Sequence, residues 1–119
     1  MTQLAQADNQ TLAKISKGLL TAWQQNHGAQ DGKVYAIKGS SCILVFIEDA
    51  FTKAEMHLAE QDNGNNQTLN RYVQSLLAHI CYEQKGFVAQ QLDARVVSTS
   101  VSADTVAGWA MCIFKLTDS

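Results

Sequence analysis

The sequence predicts an α+β protein with the element order α-ββ-α-α-ββ, in which the helices pack on one face of a four-stranded, largely antiparallel sheet. Three observations lead to this fold class. Apolar residues recur at helical spacing in three segments, short extended runs come in two pairs, and a brief turn joins each pair. Because the chain has 119 residues, we expect a single domain over residues 1–119 with its core at about 8–116.

The first helix is predicted over residues 8–27. Asp8 or Asn9 can cap its start, and Gly28 is typical of a helix end. A flexible connector at 28–32 separates it from the first hairpin. The apolar stripe that predicts this helix consists of Leu12, Ile15, Leu19 and Trp23.

The first hairpin is predicted from strands at 33–38 and 42–48, joined by a Gly39-Ser40 turn. The second of these strands is apolar on both of its faces. A strand of that kind is central in its sheet or covered on both sides.

A capped second helix follows from Thr52 to about residue 61. The Thr52 hydroxyl can accept a hydrogen bond from the backbone N–H of Glu55, while the Glu55 carboxylate reaches back to the N–H of Thr52. Phe51 and Met56 are spaced as a hydrophobic staple. The spacing therefore predicts a sharp start for this helix.

The remaining elements are one long helix and a second hairpin. A polar run at 62–66 precedes the helix, which is predicted over 67–92 because its apolar stripe, which begins with Leu69, Tyr72 and Val73, continues past Gly86. Strands are predicted at 95–102 and 109–116, with a turn region at 103–107. In the first of these strands, Val97, Thr99 and Val101 alternate with Val96, Ser98 and Ser100.

Charge and hydropathy exclude several classes of function. Nine basic and eleven acidic residues give a formal charge of −2, without the concentrated basic surface that nucleic acid requires. The longest unbroken aliphatic and aromatic run, at 43–47, is too short to span a bilayer. The first residues lack the basic and apolar parts of a secretion signal. We therefore expect a cytoplasmic protein that does not insert into the membrane.

Residues that could carry chemistry are few, and we predict no catalytic residue, no metal site and no cofactor. His79 and Cys81 lie two apart on a helix and point in different directions, so they cannot hold one metal ion. Structural roles explain the other candidates: Glu55 as a helix cap, His57 on a solvated helix face, and Cys42, Cys112, Trp23 and Trp109 in the core.

The best candidate for a binding site is the hydroxyl-rich end of the third strand and the turn after it. A small anion or another polar ligand could bind at this rim, with an arginine as the cation. The alternative is a solvated sheet edge. The candidate ligand-binding residues are Arg71, Arg95, Ser100, Ser102 and Asp104.

The order of elements and three segments resemble the MpsC-like family. These segments are Phe-Thr-x-Ala-Glu-x-x-Leu-Ala at 51–59, the leucine-rich helix after Arg71, and the Val-Val-Ser strand whose hairpin ends in 113–116. The chain departs from the family's Gly-x-Gly-Pro element at 28–32, which marks it as a divergent member. The resemblance implies a small soluble α+β protein linked to a sodium-translocating, membrane-potential-generating system that handles inorganic carbon.

Three hypotheses about function follow. The first is a non-enzymatic accessory or interaction protein that forms homo-oligomers and, as the resemblance implies, docks to a membrane-associated transport complex. The second is a small-ligand-binding or sensory domain that uses the Ser/Thr-rich strand end and an arginine. The third, a thiol-dependent enzyme, needs a cysteine and a histidine that only tertiary folding could bring together.

Overall fold

The computed structural model of the chain describes residues 9–28, 32–61 and 67–118. The expected cap at Asp8, the middle of the connector at 28–32 and the polar run at 62–66 lie outside these residues. The predicted order of elements is confirmed in the described part of the chain. It is α1 (Asn9–His27), β1 (Lys33–Lys38), β2 (Cys42–Glu48), α2 (Lys53–Gln61), α3 (Gln67–Leu92), β3 (Ala94–Asp104) and β4 (Trp109–Asp118).

The four strands form one antiparallel sheet in the order β1-β2-β4-β3. Strand β2, which is apolar on both faces, is therefore central in the sheet. This was one of the two positions that its sequence predicted. Helix α1 packs against β1 and β2, and α3 packs against β3 and β4. Both helices lie on the same face of the sheet, because alternate residues of the central strands are buried beneath them.

The core lies between this face and the two helices. Trp23 and Leu19 of α1 and Leu77 of α3 are at most 1% exposed. Across the sheet, β2 and β4 bury paired residues such as Val45 and Cys112. Other members of the core are Ile15, Ile43, Ile47, Val73, Ile80, Cys81, Val88, Leu92, Ala110, Phe114 and Leu116.

The opposite face of the sheet, which we call the open face, carries the alternate residues of all four strands. No described element packs across it. Tyr35 and Ile37 on β1 are 44% and 54% exposed. The other apolar side chains of the open face are half-buried: Leu44, Phe46, Trp109, Met111 and Ile113. The apolar character of β2 on both sides therefore reflects a core face and a second apolar surface.

The predicted cap of α2 is confirmed. The Glu55 N–H donates to Oγ1 of Thr52 at 3.2 Å, and the Thr52 N–H donates to Oε1 of Glu55 at 2.9 Å. Phe51 is buried and Met56 packs against the core, so both residues of the expected staple anchor the helix start.

A buried junction joins α1 to the sheet at this point. The indole N–H of Trp23 donates to the carbonyl of Ala50 at 2.8 Å. The Ala50 N–H donates to the carbonyl of Gly108 at 3.0 Å, in the turn between β3 and β4. Three separate segments of the chain therefore meet at one alanine.

The second hairpin differs from its prediction in length and in register. Ala103 and Asp104 continue the ladder, opposite Ala110 and Trp109, so the expected turn at 103–107 is shorter than predicted. Backbone geometry explains this difference, because Gly108 has φ of +89° and closes the turn tightly.

A register shift between Val96 and Ser98 also makes the expected alternation wrong at its start. The β-bulge leaves Val97 50% exposed, while Val96, Thr99 and Val101 lie on the core side. A period-two pattern cannot anticipate an inserted residue.

Three other expectations about burial are wrong. Trp109 and Cys42 were expected in the core but are half-buried on the open face. Tyr72, on the predicted apolar stripe of α3, is 52% exposed. The apolar stripe of α3 is wider than the surface that the sheet covers.

The two glycines at 86 and 108 predict opposite effects of the same substitution. A methyl group at Gly86 would meet open space on the exposed side of α3, so Gly86→Ala should raise the free energy of unfolding by about 0.5–1 kcal/mol. Gly108→Ala should lower it by roughly 1–2 kcal/mol, because φ is +89° and Cε of Met56 would lie 3.2 Å from the new Cβ. Urea unfolding measures both. Equal effects at the two sites would contradict the difference in backbone conformation between Gly86 and Gly108.

Candidate functional site

A cleft of about 680 Å³ lies at the β3–β4 turn, between the turn and the first half of α3. Its polar lining comes from Asn70 and Gln74 on the helix and from Ser102, Asp104 and Thr105 on the hairpin. The described lining includes neither a lysine nor an arginine.

The hydrogen bonds of the cleft hold the turn in place. The buried Thr105 hydroxyl donates to Oδ1 of Asn70 at 3.0 Å, which ties the hairpin to α3. Oδ1 of Asp104 accepts from the N–H groups of Val106 and Ala107 at 3.0 and 2.9 Å. Asp104 therefore shapes the turn, as aspartates commonly do.

The predicted ligand-binding residues occupy different places. Ser102 and Asp104 line the cleft together, and Ser100 is the next residue along the same face of β3. Arg95 pairs with Thr117 at the opposite end of β3, and exposed Arg71 follows Asn70 on α3 without lining the cleft. The binding role of these five residues stays a prediction.

A second cavity, which we call the α1–α3 groove, has a volume of about 520 Å³ on the outer surface of the helix layer. Gly18 makes the groove narrow, since a Cβ there would lie 2.9 Å from Cε2 of Phe87. Ala22 and Phe87 give an apolar floor, while Lys14 and Lys17 lie at the rim. The other lining residues are Thr21, Gln25, Gln84 and Gln91.

The structure also contains a buried ionisable pair that the sequence reasoning missed. Nε2 of His27 lies 2.7 Å from Oε2 of Glu55, and these side chains are only 1% and 16% exposed. The His27 ring stacks on Trp23 with centroids 4.3 Å apart. The sequence could have predicted that His27 is buried, because it follows Trp23 by four residues and so continues the buried stripe of α1.

Glu55 therefore has two partners. Its Oε1 accepts from the Thr52 N–H, and its Oε2 contacts His27 at the end of α1. Nδ1 of His27 is buried and has no hydrogen-bond partner among the described residues. This arrangement fastens α1 to the start of α2, which gives the carboxylate a structural role.

The two buried thiols, Cys81 on α3 and Cys112 on β4, form a second interacting pair. Their hydrogen bond, together with burial, raises the pKa of Cys112 well above the usual thiol value. A thiol held protonated in this way is a poor nucleophile. Cys81 is fully buried, whereas His79 is exposed and its Nε2 lies 3.0 Å from Oε1 of Glu83, so the two side chains do not share a site.

The described residues offer neither a metal site nor a membrane-spanning helix. No group of three or more His, Cys, Asp and Glu residues in the described ranges could hold a metal ion. No helix in the described part of the chain combines the length and the hydropathy needed to cross a membrane.

The comparisons with known proteins identify a family. The family model described as "Na+-translocating membrane potential-generating system (MpsC)" matches residues 7–118, nearly the whole chain. No curated protein and no solved structure matches the chain.

The cysteines provide a direct test of the thiol-enzyme hypothesis. In the folded protein at neutral pH, we expect an aromatic disulfide reagent to label half-buried Cys42 first, and to label Cys81 and Cys112 only on unfolding. Raising the pH to 9 should leave Cys112 slow, because its pKa lies well above the usual value. Mass spectrometry of timed samples identifies each labelled residue. Rapid labelling of Cys112 in the folded protein would revive the thiol-enzyme hypothesis.

Proposed function

Because the chain belongs to the MpsC family, we propose that it is a non-enzymatic accessory protein of a membrane-potential-generating system and that it binds a larger protein of that system. The observation that carries this proposal is the family match over residues 7–118. The family description names a system rather than a reaction, which suits a subunit whose role is to bind another component.

The roles of the charged and polar groups also support a binding protein. Glu55 is engaged by Thr52 and His27, and Asp104 by the amides of its own turn. Groups with these partners stabilise helix starts and turns. None of them needs a catalytic role to explain its position.

We infer that the α1–α3 groove is the surface that binds the partner. Its apolar floor of Gly18, Ala22 and Phe87 lies between two helices, a geometry that accepts an amphipathic helix. Lys14 and Lys17 at the rim favour acidic residues beside the apolar face of that helix. The proposed occupant is therefore an acidic amphipathic helix of the larger protein.

A charge reversal in the groove tests this proposal. Affinity-tagged wild-type chain should recover the same larger protein repeatedly from native extract, and Lys17→Glu should weaken that recovery about tenfold because it repels an acidic helix. Lys53→Glu is the matched control, since Lys53 is exposed on α2, away from the groove. Repeated recovery of the wild-type chain without any partner, or equal loss in both variants, would contradict the proposal.

A second candidate function is the binding of a small polar ligand in the cleft at the β3–β4 turn. The convergence of Ser102 and Asp104 with Asn70 and Thr105 favours it. Because neither predicted arginine lines the cleft, a neutral or cationic polar molecule fits better than a small anion.

A thermal-shift screen of nucleosides, amino acids, sugars and inorganic phosphate tests this second candidate. A ligand present at about 100 times its Kd should add about 2.7 kcal/mol to the free energy of unfolding, and Ser102→Ala should reduce that gain. Ser98→Ala, on the same face of β3 but outside the cleft, is the control and should leave the gain unchanged. A screen without any shift would reject this function.

A further inference from the structure

The open face of the sheet is a surface that partner binding in the α1–α3 groove does not use, and only its end at Ser102, Asp104 and Trp109 borders the cleft. It lies opposite the helix layer and therefore opposite the α1–α3 groove. Phe46 stacks between Tyr35 and Trp109, with ring centroids 5.4 Å apart on each side. Soluble proteins rarely leave an apolar patch of more than a few hundred Å² in water unless it is a contact surface.

We propose that the open face binds the open face of a second copy of this chain and forms a two-fold symmetric dimer. Two sheets pack face to face about 10 Å apart when their strands are aligned within about 30°. A two-fold axis lets one patch serve both copies, so the patch must be complementary to itself. The strand register indicates that the open face meets this requirement, because its two ends differ in charge.

The two ends of the open face carry opposite charge. At one end, the strand pairing places Glu48, Trp109 and Asp104 side by side, with Lys33 at the edge of the row. At the other end, Lys115 lies on β4 opposite Ser98, and Arg95 lies further along on β3. The first row is acidic overall and the second end is basic.

A two-fold axis that lies in the sheet plane and crosses the strands places the acidic row of one copy over the basic end of the other. Trp109 then faces Lys115 of the second copy, and Glu48 lies beside that lysine, which gives an attractive cation–π and charge contact. The same axis stacks β1 on β1, so Tyr35 faces Ile37 of the second copy.

An axis parallel to the strands gives a poorer match. It would place Lys33 over Asp104 of the second copy, but it would also bring the Glu48 side chains of the two copies close together, and likewise their Lys115 side chains, where like charges repel. It would also put the apolar residues of β1 over the serines of β3. The apolar match along β1, together with the Trp109–Lys115 contact, therefore favours the axis that crosses the strands.

The area of the open face approaches what a stable dimer needs. Four strands about 4.8 Å apart, each about seven residues long, cover roughly 19 by 24 Å, or about 450 Å² in projection. Side chains that stand on the sheet expose more area than this projection. The face is therefore close to the ~600 Å² per partner at the lower end of specific interfaces.

Sedimentation velocity of the full chain over a range of concentrations tests the dimer. We expect a species of twice the 13.0 kDa chain mass. Tyr35→Lys should raise the dimer Kd at least about tenfold, because a lysine would be buried between two apolar faces. Tyr72→Lys is the matched control, as Tyr72 is 52% exposed on α3, away from the open face, and should leave the Kd unchanged. A wild-type chain that stays monomeric, or equal effects of both variants, would overturn the proposal.

A charge swap tests the orientation. Glu48→Lys and Lys115→Glu should each weaken the dimer several-fold, and the double variant should restore it because the contact between residues 48 and 115 re-forms with its two charges exchanged. Failure of the double variant to recover affinity would overturn the assigned axis. Far-UV circular dichroism confirms that each variant is folded. Since the groove lies on the other side of the sheet, Tyr35→Lys should still recover the larger partner, so the two proposals succeed or fail separately.

Discussion

The hydrogen bond from the Trp23 indole to the Ala50 carbonyl is the interaction on which the rest of the structure depends. It satisfies a buried donor that would otherwise cost about 1–3 kcal/mol. The same alanine donates to Gly108, and the ring of Trp23 stacks on His27. Through these contacts α1, the exit of β2 and the β3–β4 turn are held at one point. The start of α2 is fixed to the same point through Glu55.

This junction determines where the usable surfaces lie. It fixes α1 against the sheet, and the close approach of Gly18 to Phe87 makes the groove between α1 and α3 narrow. It also fixes the Gly108 turn, which shapes the cleft beside Asp104. The open face, on the other side of the sheet, is covered by no element of the described part of the chain. A small fold with a single layer of helices therefore has two opposed surfaces, the groove between the helices and the open face of the sheet.

Local patterns predicted most of the fold. The Thr52–Glu55 cap, the position of β2 and the unbroken α3 depend on residues close together in sequence, and all three are confirmed. The bulge at Val97 was missed because the alternation of apolar and polar residues along a strand does not reveal where one extra residue is inserted. Trp109 was misplaced because apolar character does not reveal which face of a sheet remains uncovered.

The site was harder to predict, since it depends on contacts between distant segments. His27 and Glu55 are separated by 28 residues, and the Thr105–Asn70 bond joins residues 35 apart. Spacing within α1 could have placed His27 on the buried side, but nothing local could name its partner. By contrast, the separation of Arg95 from Asp104 was already implied by the predicted strand at 95–102, and the two residues do lie at opposite ends of β3.

The two outer strands have a further consequence for how the protein avoids uncontrolled polymerisation. The chain contains no proline, a residue that commonly guards the edge of a sheet. Two other features protect the edges of this sheet. Strand β1 begins and ends with lysine, and the bulge at Val97 interrupts the free edge of β3. A newly made chain is thereby discouraged from adding strands of its neighbours to either edge, and fibre growth is disfavoured while closed, finite assemblies remain open to it.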